Sequence, residues 1–314
     1  MDIVKIEKVD ETYNRVTCDP GIAYELNEYF TFDVPGAKFM PAYKSKFWDG
    51  KIRLYNTMTG MLYGGLLKYV EEFCNKRNYE LDYVTDFSAE EFSLKEAKEF
   101  CKTLNLTIEP RDYQLDAFVY GVRNRRSLLL SPTASGKSFI IYLLTRYYNA
   151  KTLIIVPTTS LVSQLASDFA DYGFESDVNV HRIFSGQNKQ TTKPITISTW
   201  QSIYKIPKEY FELFDVVIGD EAHLFKAKSL TSIMTKLNNC KYRFGFTGTL
   251  DGTETHKLVL EGLFGAVKSV TTTSKLIEQK HLSNFLIKAI ILKYPDNVRK
   301  ATTCLLYTSD AADE

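Results

Sequence analysis

An α/β protein, a parallel sheet with helices on both faces preceded by a small α+β unit, is what this sequence predicts, and three observations carry the expectation. From Glu109 onward, uniformly apolar runs alternate with helix-like segments, the pattern of a parallel sheet buried on both sides. Two of these runs, at 128–130 and 216–218, empty into polar loops, at the strand ends where open sheets hold ligands. Ahead of residue 105 the pattern differs, with short alternating runs, turn signals and isolated helices.

The first unit is expected over 1–105. Alternating runs at 4–9 and 15–18 read as strands and 21–29 as a helix. Phe47-Trp48 and the run 51–55 flank Asp49-Gly50, a two-residue hairpin signal. Leu66, Leu67, Tyr69, Val70, Phe73 and Cys74 recur at helical spacing, and 79–84 reads as a further strand. Either Ser88 with Glu91 or Ser93 with Glu96 caps a helix running to about 104. The second unit, 106–284, has strands near 128–130, 152–156, 195–198, 215–218 and 243–246. Helices are expected at 138–148, 161–172 and 229–237. A last strand at 286–294 follows a polar link and opens a further unit, of which 285–303 is the start.

Composition sets the limits. The chain has 314 residues, 44% hydrophobic and 25% charged, an ordinary globular balance with room for about two domains. No apolar run approaches the ~18 residues of a membrane span, and 1–7 alternates like a strand rather than a signal peptide. A net charge of +1 confines any nucleic-acid surface to a local patch. Cys18, Cys74, Cys101, Cys240 and Cys304 form no C-x-x-C pair, and the four histidines have no ligand spacing. Reduced thiols in a cytoplasmic protein are therefore expected, without disulfides or zinc. On back-translation, 304–314 corresponds to the transposon-derived adapter of sequencing libraries, so that stretch is set aside from the fold. The natural chain is expected to continue past Thr303, which makes this a fragment.

The chemistry lies in two stretches. The first runs Ser131, Pro132, Thr133, Ala134, Ser135, Gly136, Lys137, Ser138. A loop of small residues ending in Gly-Lys-Ser before a helix wraps backbone N–H groups around a phosphate chain. Lys137 then reaches the β/γ-phosphates, and the Ser138 hydroxyl ligates Mg²⁺. The second runs Asp220, Glu221, Ala222, His223. Asp220 supplies the carboxylate of the Mg²⁺ shell, and Glu221 polarises the attacking water. The general loop pattern opens with Gly, and here Ser131 stands there. Either stretch alone also fits a polar turn with solvated charges. Together, at strand ends of one sheet, they predict a site for ATP and Mg²⁺.

Weaker signals surround this pair. Gln114 lies 23 residues before Lys137, and a Gln amide can pair with adenine's N6/N7 edge in both directions. Gln114, helped by Arg111, is the candidate for selecting ATP; the alternative is a surface Gln on a helix. Pro157, Thr158 and Thr159 follow one strand, and Thr199 and Trp200 follow another. Hydroxyl-rich loops bind sugar–phosphate backbone, though ordinary helix caps explain these residues equally well. Thr247, Gly248 and Thr249 end the fifth strand as a short hydroxylated loop suited to couple the nucleotide to a strand-binding surface. Lys38, Lys44, Lys46, Lys51 and Arg53 crowd Phe39, Tyr43, Phe47 and Trp48, a pattern that contacts phosphates and stacks on bases. The competing reading puts Phe47 and Trp48 in the small unit's core and leaves the lysines as a solvated face.

In order and spacing, Arg111-x-Tyr-Gln114, the Lys137 loop, Pro157-Thr-Thr159, Ser198-Thr-Trp200, Asp220-Glu-Ala-His223 and Thr247-Gly-Thr249 resemble the motifs of superfamily-two helicases. The chain is further similar to the recombination and branch-migration helicases of T-even phages. The residues that carry this are Phe47-Trp-Asp-Gly-Lys-Ile-Arg-Leu54, Val156-Pro-Thr-Thr159, Leu237-Asn-Asn-Cys240 and Val270-Thr-Thr-Thr-Ser-Lys-Leu276. The resemblance implies a RecA-like first lobe of a two-lobed, monomeric, ATP-driven motor acting on branched or duplex DNA, with RNA–DNA hybrids in R-loops included. It implies that Lys137 and Ser138 bind phosphate and Mg²⁺, that Asp220 binds Mg²⁺ and that Glu221 is the catalytic base. It also gives His223 and Thr247 to Thr249 the relay from ATP to DNA. Such motors complete their site with an arginine from a second lobe, so this stretch alone should turn ATP over poorly. The rival expectations are a double-stranded DNA translocase of restriction type, an RNA helicase, and a non-enzymatic, nucleotide-gated nucleic-acid-binding module.

Overall fold

The small unit is built on four strands whose alternation follows the pleat. In the computed structural model β1 (Ile3–Lys8) buries Val4 and Ile6 and exposes Lys5 and Glu7. The other strands are β2 (Tyr13–Thr17), β3 (Thr31–Asp33), β4 (Lys51–Arg53), β5 (Met61–Tyr63) and β6 (Glu80–Tyr83). Four of them form a sheet in the order β5-β2-β1-β6, antiparallel except for the parallel β1–β6 pair. The helix Pro20–Tyr29 opens on a proline and buries Ile22 and Leu26. The helix Leu67–Arg77 buries Val70, Phe73 and Cys74 and stops at Asn78, which takes the left-handed conformation. The described residues are 2–184, 186, 188–224, 227–250 and 254–283. The expected strand at 286–294, the further unit starting at 285–303 and the stretch 304–314 lie outside them.

Asp49-Gly50 is not a hairpin. β4 pairs with β3, Thr31 opposite Arg53 and Asp33 opposite Lys51, so the connection is the whole stretch 34–50. Two local bonds explain the turn that misled the pattern. The Asp49 carboxylate accepts from the Lys51 N–H, and the Trp48 indole N–H donates to the Lys51 carbonyl at 2.8 Å.

The second sheet has seven strands, all parallel: β7 (Arg126–Leu130), β8 (Thr152–Val156), β9 (Val180–Ile183), β10 (Ile195–Thr199), β11 (Val216–Gly219), β12 (Tyr242–Thr247) and β13 (Val267–Ser269). Their order is β13-β7-β12-β11-β8-β10-β9. Successive residues of one strand serve opposite cores: Leu153 and Ile155 join one apolar cluster, Ile154 and Val156 the other. β9 and β13 had no clear signal in the sequence. Both are edge strands, where Val-His-Arg-Ile and Val-Lys-Ser need not be apolar throughout.

The small unit shares one of these cores. Val4, Ile6, Phe30 and Phe73 belong to the same buried cluster as Leu153, Val217, Leu260 and Phe264. Gly65 lies so close to the backbone of the helix Glu254–Phe264 that any Cβ there would collide with the Glu261 carbonyl. A Cβ at Gly262 would in turn meet Tyr63 at 2.8 Å. Polar bonds fix the same seat: the Glu11 N–H donates to Asn238 O at 2.9 Å, and Thr12 Oγ1 donates to Met234 O at 3.2 Å. Arg243 is buried there and donates to Thr12 Oγ1 at 3.0 Å and to the carbonyls of Met234, Leu237 and Cys240.

The helix Leu94–Thr103 begins at Ser93, whose capping box with Glu96 is formed in both directions. The sequence division at 105 put this helix in the first unit. Its Ala97 and Cys101 instead pack, with Phe92, against Leu115 and Phe118 on the far face of the large sheet. Cys18, Cys74, Cys101 and Cys240 are free thiols. Among the described residues no helix is long and apolar enough to cross a membrane.

Candidate functional site

The phosphate loop leaves β7 and enters the helix Lys137–Tyr148. Ala134 (φ 63) and Gly136 (φ 78) both take left-handed conformations, which turn successive backbone N–H groups toward one side as an anion cradle needs. Ser131, which replaces the usual opening glycine, is fully buried. Its hydroxyl lies 2.6 Å from that of Ser135, bridging the loop across its base, and its N–H donates to Thr247 O at 2.8 Å. A glycine here would lose the bridge, so the departure has a structural role.

Both ends of the Gln114 amide are engaged within the protein. Its Oε1 accepts from the Arg111 N–H at 2.9 Å, closing a box at the start of the helix Asp112–Asn124, and its Nε2 donates to Ser135 O at 3.1 Å. Gly136 packs against that Nε2 with no room for a Cβ. Arg111 acts one step removed: its guanidinium donates to the Tyr113 hydroxyl, which donates to the same Ser135 carbonyl at 3.1 Å. As folded, Arg111, Tyr113 and Gln114 therefore clamp the phosphate loop. Tyr113 sits inside the motif but was not singled out, because its role depends on a carbonyl 22 residues away.

The Asp220 pair follows β11, next to β8 and β12 in the sheet. The Lys137 ammonium forms a salt bridge with Glu221. Glu221 has φ 49, and its N–H donates to the Asp220 carboxylate at 2.9 Å. Burial pushes Asp220 up to about 6, with Lys137 opposing and Glu221 adding to the shift. An ionised carboxylate so placed favours a nearby cation. The donor set also suits Mg²⁺: a carboxylate (Asp220) and a hydroxyl (Ser138), both hard oxygens, with phosphate oxygens and waters to fill an octahedron. Among the described residues no three His, Cys, Asp or Glu side chains converge as a metal cage. The Ser138 hydroxyl itself lies 2.8 Å from that of Tyr172.

His223 extends the line. Its Nδ1 lies 3.5 Å from Glu221 Oε2 and 2.7 Å from Thr247 Oγ1. Thr247 has one hydroxyl proton and donates it to Thr249 O at 2.6 Å, so His223 Nδ1 carries the proton in the bond to Thr247. Gly248 lies close to both ends, where a Cβ would be 3.9 Å from Lys137 Nζ and 3.8 Å from Ser131 O. Lys137, Glu221, His223 and Thr247 thus form one continuous polar chain.

The strand-end loops flank this site. Thr158 caps the helix Thr159–Asp171, its Oγ1 accepting from the Leu161 N–H at 3.4 Å, and both Thr158 and Thr159 are exposed. Gln201 Nε2 donates to Pro157 O at 3.3 Å, which joins this loop to the one after β10. There Thr199 Oγ1 pairs with Ser202 Oγ at 2.8 Å, and Trp200 packs edge-on to Tyr204. The basic group lies on the small unit instead. Lys44, Lys46 and Lys51 are exposed; Arg53 is tied to Asp49 in a surface ion pair. Trp48, singled out for stacking, is half-buried, whereas Phe47 is 92% and Phe39 81% exposed. The outward aromatics are therefore these two phenylalanines.

A RecA-like sheet with a phosphate loop after β7, an Asp-Glu pair after β11 and a Thr-Gly-Thr loop after β12, the strand between them, defines a helicase-type NTPase core. Known proteins agree. Residues 2–84 match the family described as DNA helicase UvsW, N-terminal, and 97–252 match the type III restriction enzyme res subunit. The ATP-dependent DNA helicase uvsW of Enterobacteria phage T4 is 38% identical over 312 residues, 94% of this chain and 61% of that protein. A DNA 3'-5' translocase XPB2 of Sulfurisphaera tokodaii is 26% identical over 193 residues, 62% of this chain and 42% of that one. A crystal structure of T4 UvsW matches with a TM-score of 0.80 at 36% identity, covering 88% of this chain and 58% of that one. A second, of the UvsW helicase from bacteriophage T4, gives 0.78 at 36% identity and covers 86% of this chain and all of its own. The chain belongs to the UvsW family of superfamily-two helicases. It spans 61% of the length of its T4 relative.

Proposed function

We propose that this chain is the recognition unit and first motor lobe of an ATP-dependent DNA helicase. Its substrates are branched DNA: forks, junctions, D-loops and R-loops. The observation that carries the reading is the polar chain from Lys137 through Glu221 and His223 to Thr247, which ties the phosphate loop to a strand-end loop. A nucleotide-gated binding module would need the cradle and the cation carboxylate. It would not need Glu221 beside the place where the γ-phosphate lies.

Each residue then has a task. The phosphate loop's N–H groups and Lys137 bind the triphosphate, and Asp220 and Ser138 hold Mg²⁺. Bound there, Mg²⁺ would supply neutralisation of the charge that develops on the transferring phosphate. When phosphate draws Lys137 away, Glu221 is released from its salt bridge and can take the proton of the attacking water. His223 senses that change at one end and holds Thr247 at the other. Loops 157–159 and 199–200 grip sugar–phosphate backbone without reading sequence. Lys44, Lys46 and Lys51 bind phosphates, while Phe39 and Phe47 stack on bases left unpaired at a branch. The protein works as a monomer in the cytoplasm of an infected bacterium.

The test is ATP turnover by the protein carried to the length of its T4 relative, with no nucleic acid, with four-way-junction or forked DNA, and with RNA, each beside Glu221→Gln. Strongest stimulation by branched DNA supports the proposal. Stimulation by RNA alone would make it an RNA helicase, linear duplex as the best activator a translocase, and no turnover at all a binding module.

A further inference from the structure

Tyr172 has no part in the motifs, yet its hydroxyl lies 2.8 Å from that of Ser138, the residue given to Mg²⁺. It is the residue that ends the helix Thr159–Asp171, and its own N–H donates to Asp168 O at 3.0 Å. The ring is half-buried and held on two sides, edge-on to Phe139 at 5.0 Å and tilted against Tyr142 at 5.4 Å. Both of those rings belong to the helix that Ser138 opens into, Lys137–Tyr148. The phenol is thus rigidly placed before any ligand arrives, and its hydroxyl can accept or donate.

The chemistry of a serine ligand explains why this matters. When a hydroxyl oxygen gives lone pairs to a cation, its proton must point away from the metal, and the cation makes that proton a stronger donor. An acceptor already in line fixes the side-chain rotamer and satisfies the proton. Without one, the hydroxyl must find water or turn.

We propose that Tyr172 is a positioning residue for the Mg²⁺ ligand Ser138: its Oη accepts the Ser138 hydroxyl proton and holds Ser138 Oγ toward the cation. This rests on the reading of Ser138 as a ligand of nucleotide-bound Mg²⁺. It also means that the helix capped by Thr158, at the nucleic-acid loop, ends on the partner of a metal ligand.

The experiment measures binding of a fluorescent ATP analogue to this chain with Mg²⁺ and with EDTA, for wild type, Tyr172→Phe, Ser138→Ala and Lys137→Ala. Phenylalanine keeps the ring contacts and removes only the hydroxyl. Outer partners of metal ligands are typically worth 10–100-fold in metal affinity. Tyr172→Phe should therefore need about 10-fold more Mg²⁺ to reach the tight-binding state, while its affinity in EDTA and its melting temperature stay at wild-type values. An unchanged Mg²⁺ requirement in Tyr172→Phe, beside a raised one in Ser138→Ala, overturns the inference and leaves the site reading intact. Equal losses with Mg²⁺ and with EDTA also overturn it, by showing a packing role. Wild-type binding by Lys137→Ala would instead fail the nucleotide site itself, and this inference with it.

Discussion

Glu221→Gln should tighten ATP binding while it stops turnover, and the size of the gain follows from one contact. As folded, Lys137 is engaged with Glu221, the two side chains being 14% and 23% exposed. Phosphate must compete with that carboxylate for the ammonium. An exposed ion pair is worth ~0.2–1 kcal/mol, whereas removing one partner of a buried pair costs ~3–5 kcal/mol. This pair is screened on most sides but not sealed, so ~1–2 kcal/mol is the reasonable value, or about 5- to 30-fold in Kd. Glutamine keeps the shape and removes the charge, so Lys137 is released to phosphate at no packing cost. The assay is titration of this chain with a fluorescent Mg²⁺-ATP analogue, in wild type, Glu221→Gln, Lys137→Met and the double variant. The gain should shrink to near unity in the Lys137→Met background, because the competition it relieves is gone. Weaker or unchanged binding by Glu221→Gln would refute the reasoning, and so would a gain of equal size without Lys137.

Lys137→Ala should weaken nucleotide binding by at least ~10-fold, because charge-assisted bonds are worth ~1.5–3 kcal/mol; calorimetric titration checks it. Arg243→Met should lower stability by about 3 kcal/mol, since it strips buried carbonyls at Met234, Leu237 and Cys240 of their donor. Thermal melting should then fall by several degrees, and an unchanged midpoint would mean the cradle contributes nothing. Reversing Lys44, Lys46 and Lys51 to Glu should flatten the salt dependence of DNA binding by roughly one unit of slope for each phosphate that is no longer neutralised. Phe47→Ala should weaken binding to forked but not to fully paired DNA; equal weakening on both would refute stacking. His223→Ala, in the protein carried to its relative's length, should cut DNA stimulation of ATP turnover by about 5-fold or more with little effect on basal turnover.

What the sequence revealed divides along physical lines. The inner strands of the large sheet, such as Thr152–Val156 and Val216–Gly219, were legible because burial on both faces demands continuous apolar residues. The edge strands β9 and β13 were not, because one free side relaxes that demand. Ser93 with Glu96 was one of two capping candidates, and local bonds decided between them. Asp49-Gly50 misled because the Asp49 and Trp48 side chains build a turn locally, while the strand pairing is set by β3 at a distance. In the site, Lys137, Asp220 and Glu221 carry signals because each motif is contiguous. The clamp of Gln114 on Ser135 and the bond of Ser138 to Tyr172 join residues 21 and 34 positions apart, and no single-strand pattern encodes such pairs.

β12 shows how the two units act as one. Its second residue, Arg243, is the buried guanidinium that holds Thr12 of the small unit, and its last, Thr247, receives the bond from His223 and gives its carbonyl to the phosphate loop. Three residues of extended chain lie between them, a span of about 13 Å along a strand. That strand lies between β7 and β11, which carry the phosphate loop and the Asp-Glu pair. A hinge at the seat would have to break the carbonyl cradle of Arg243 and the glycine contacts at Gly65 and Gly262 together. The small unit is therefore seated on the sheet that carries the ATP site through one shared core. On the proposed function, DNA held by Phe47 and its lysines would meet the strand-end loops from a unit seated on the motor core.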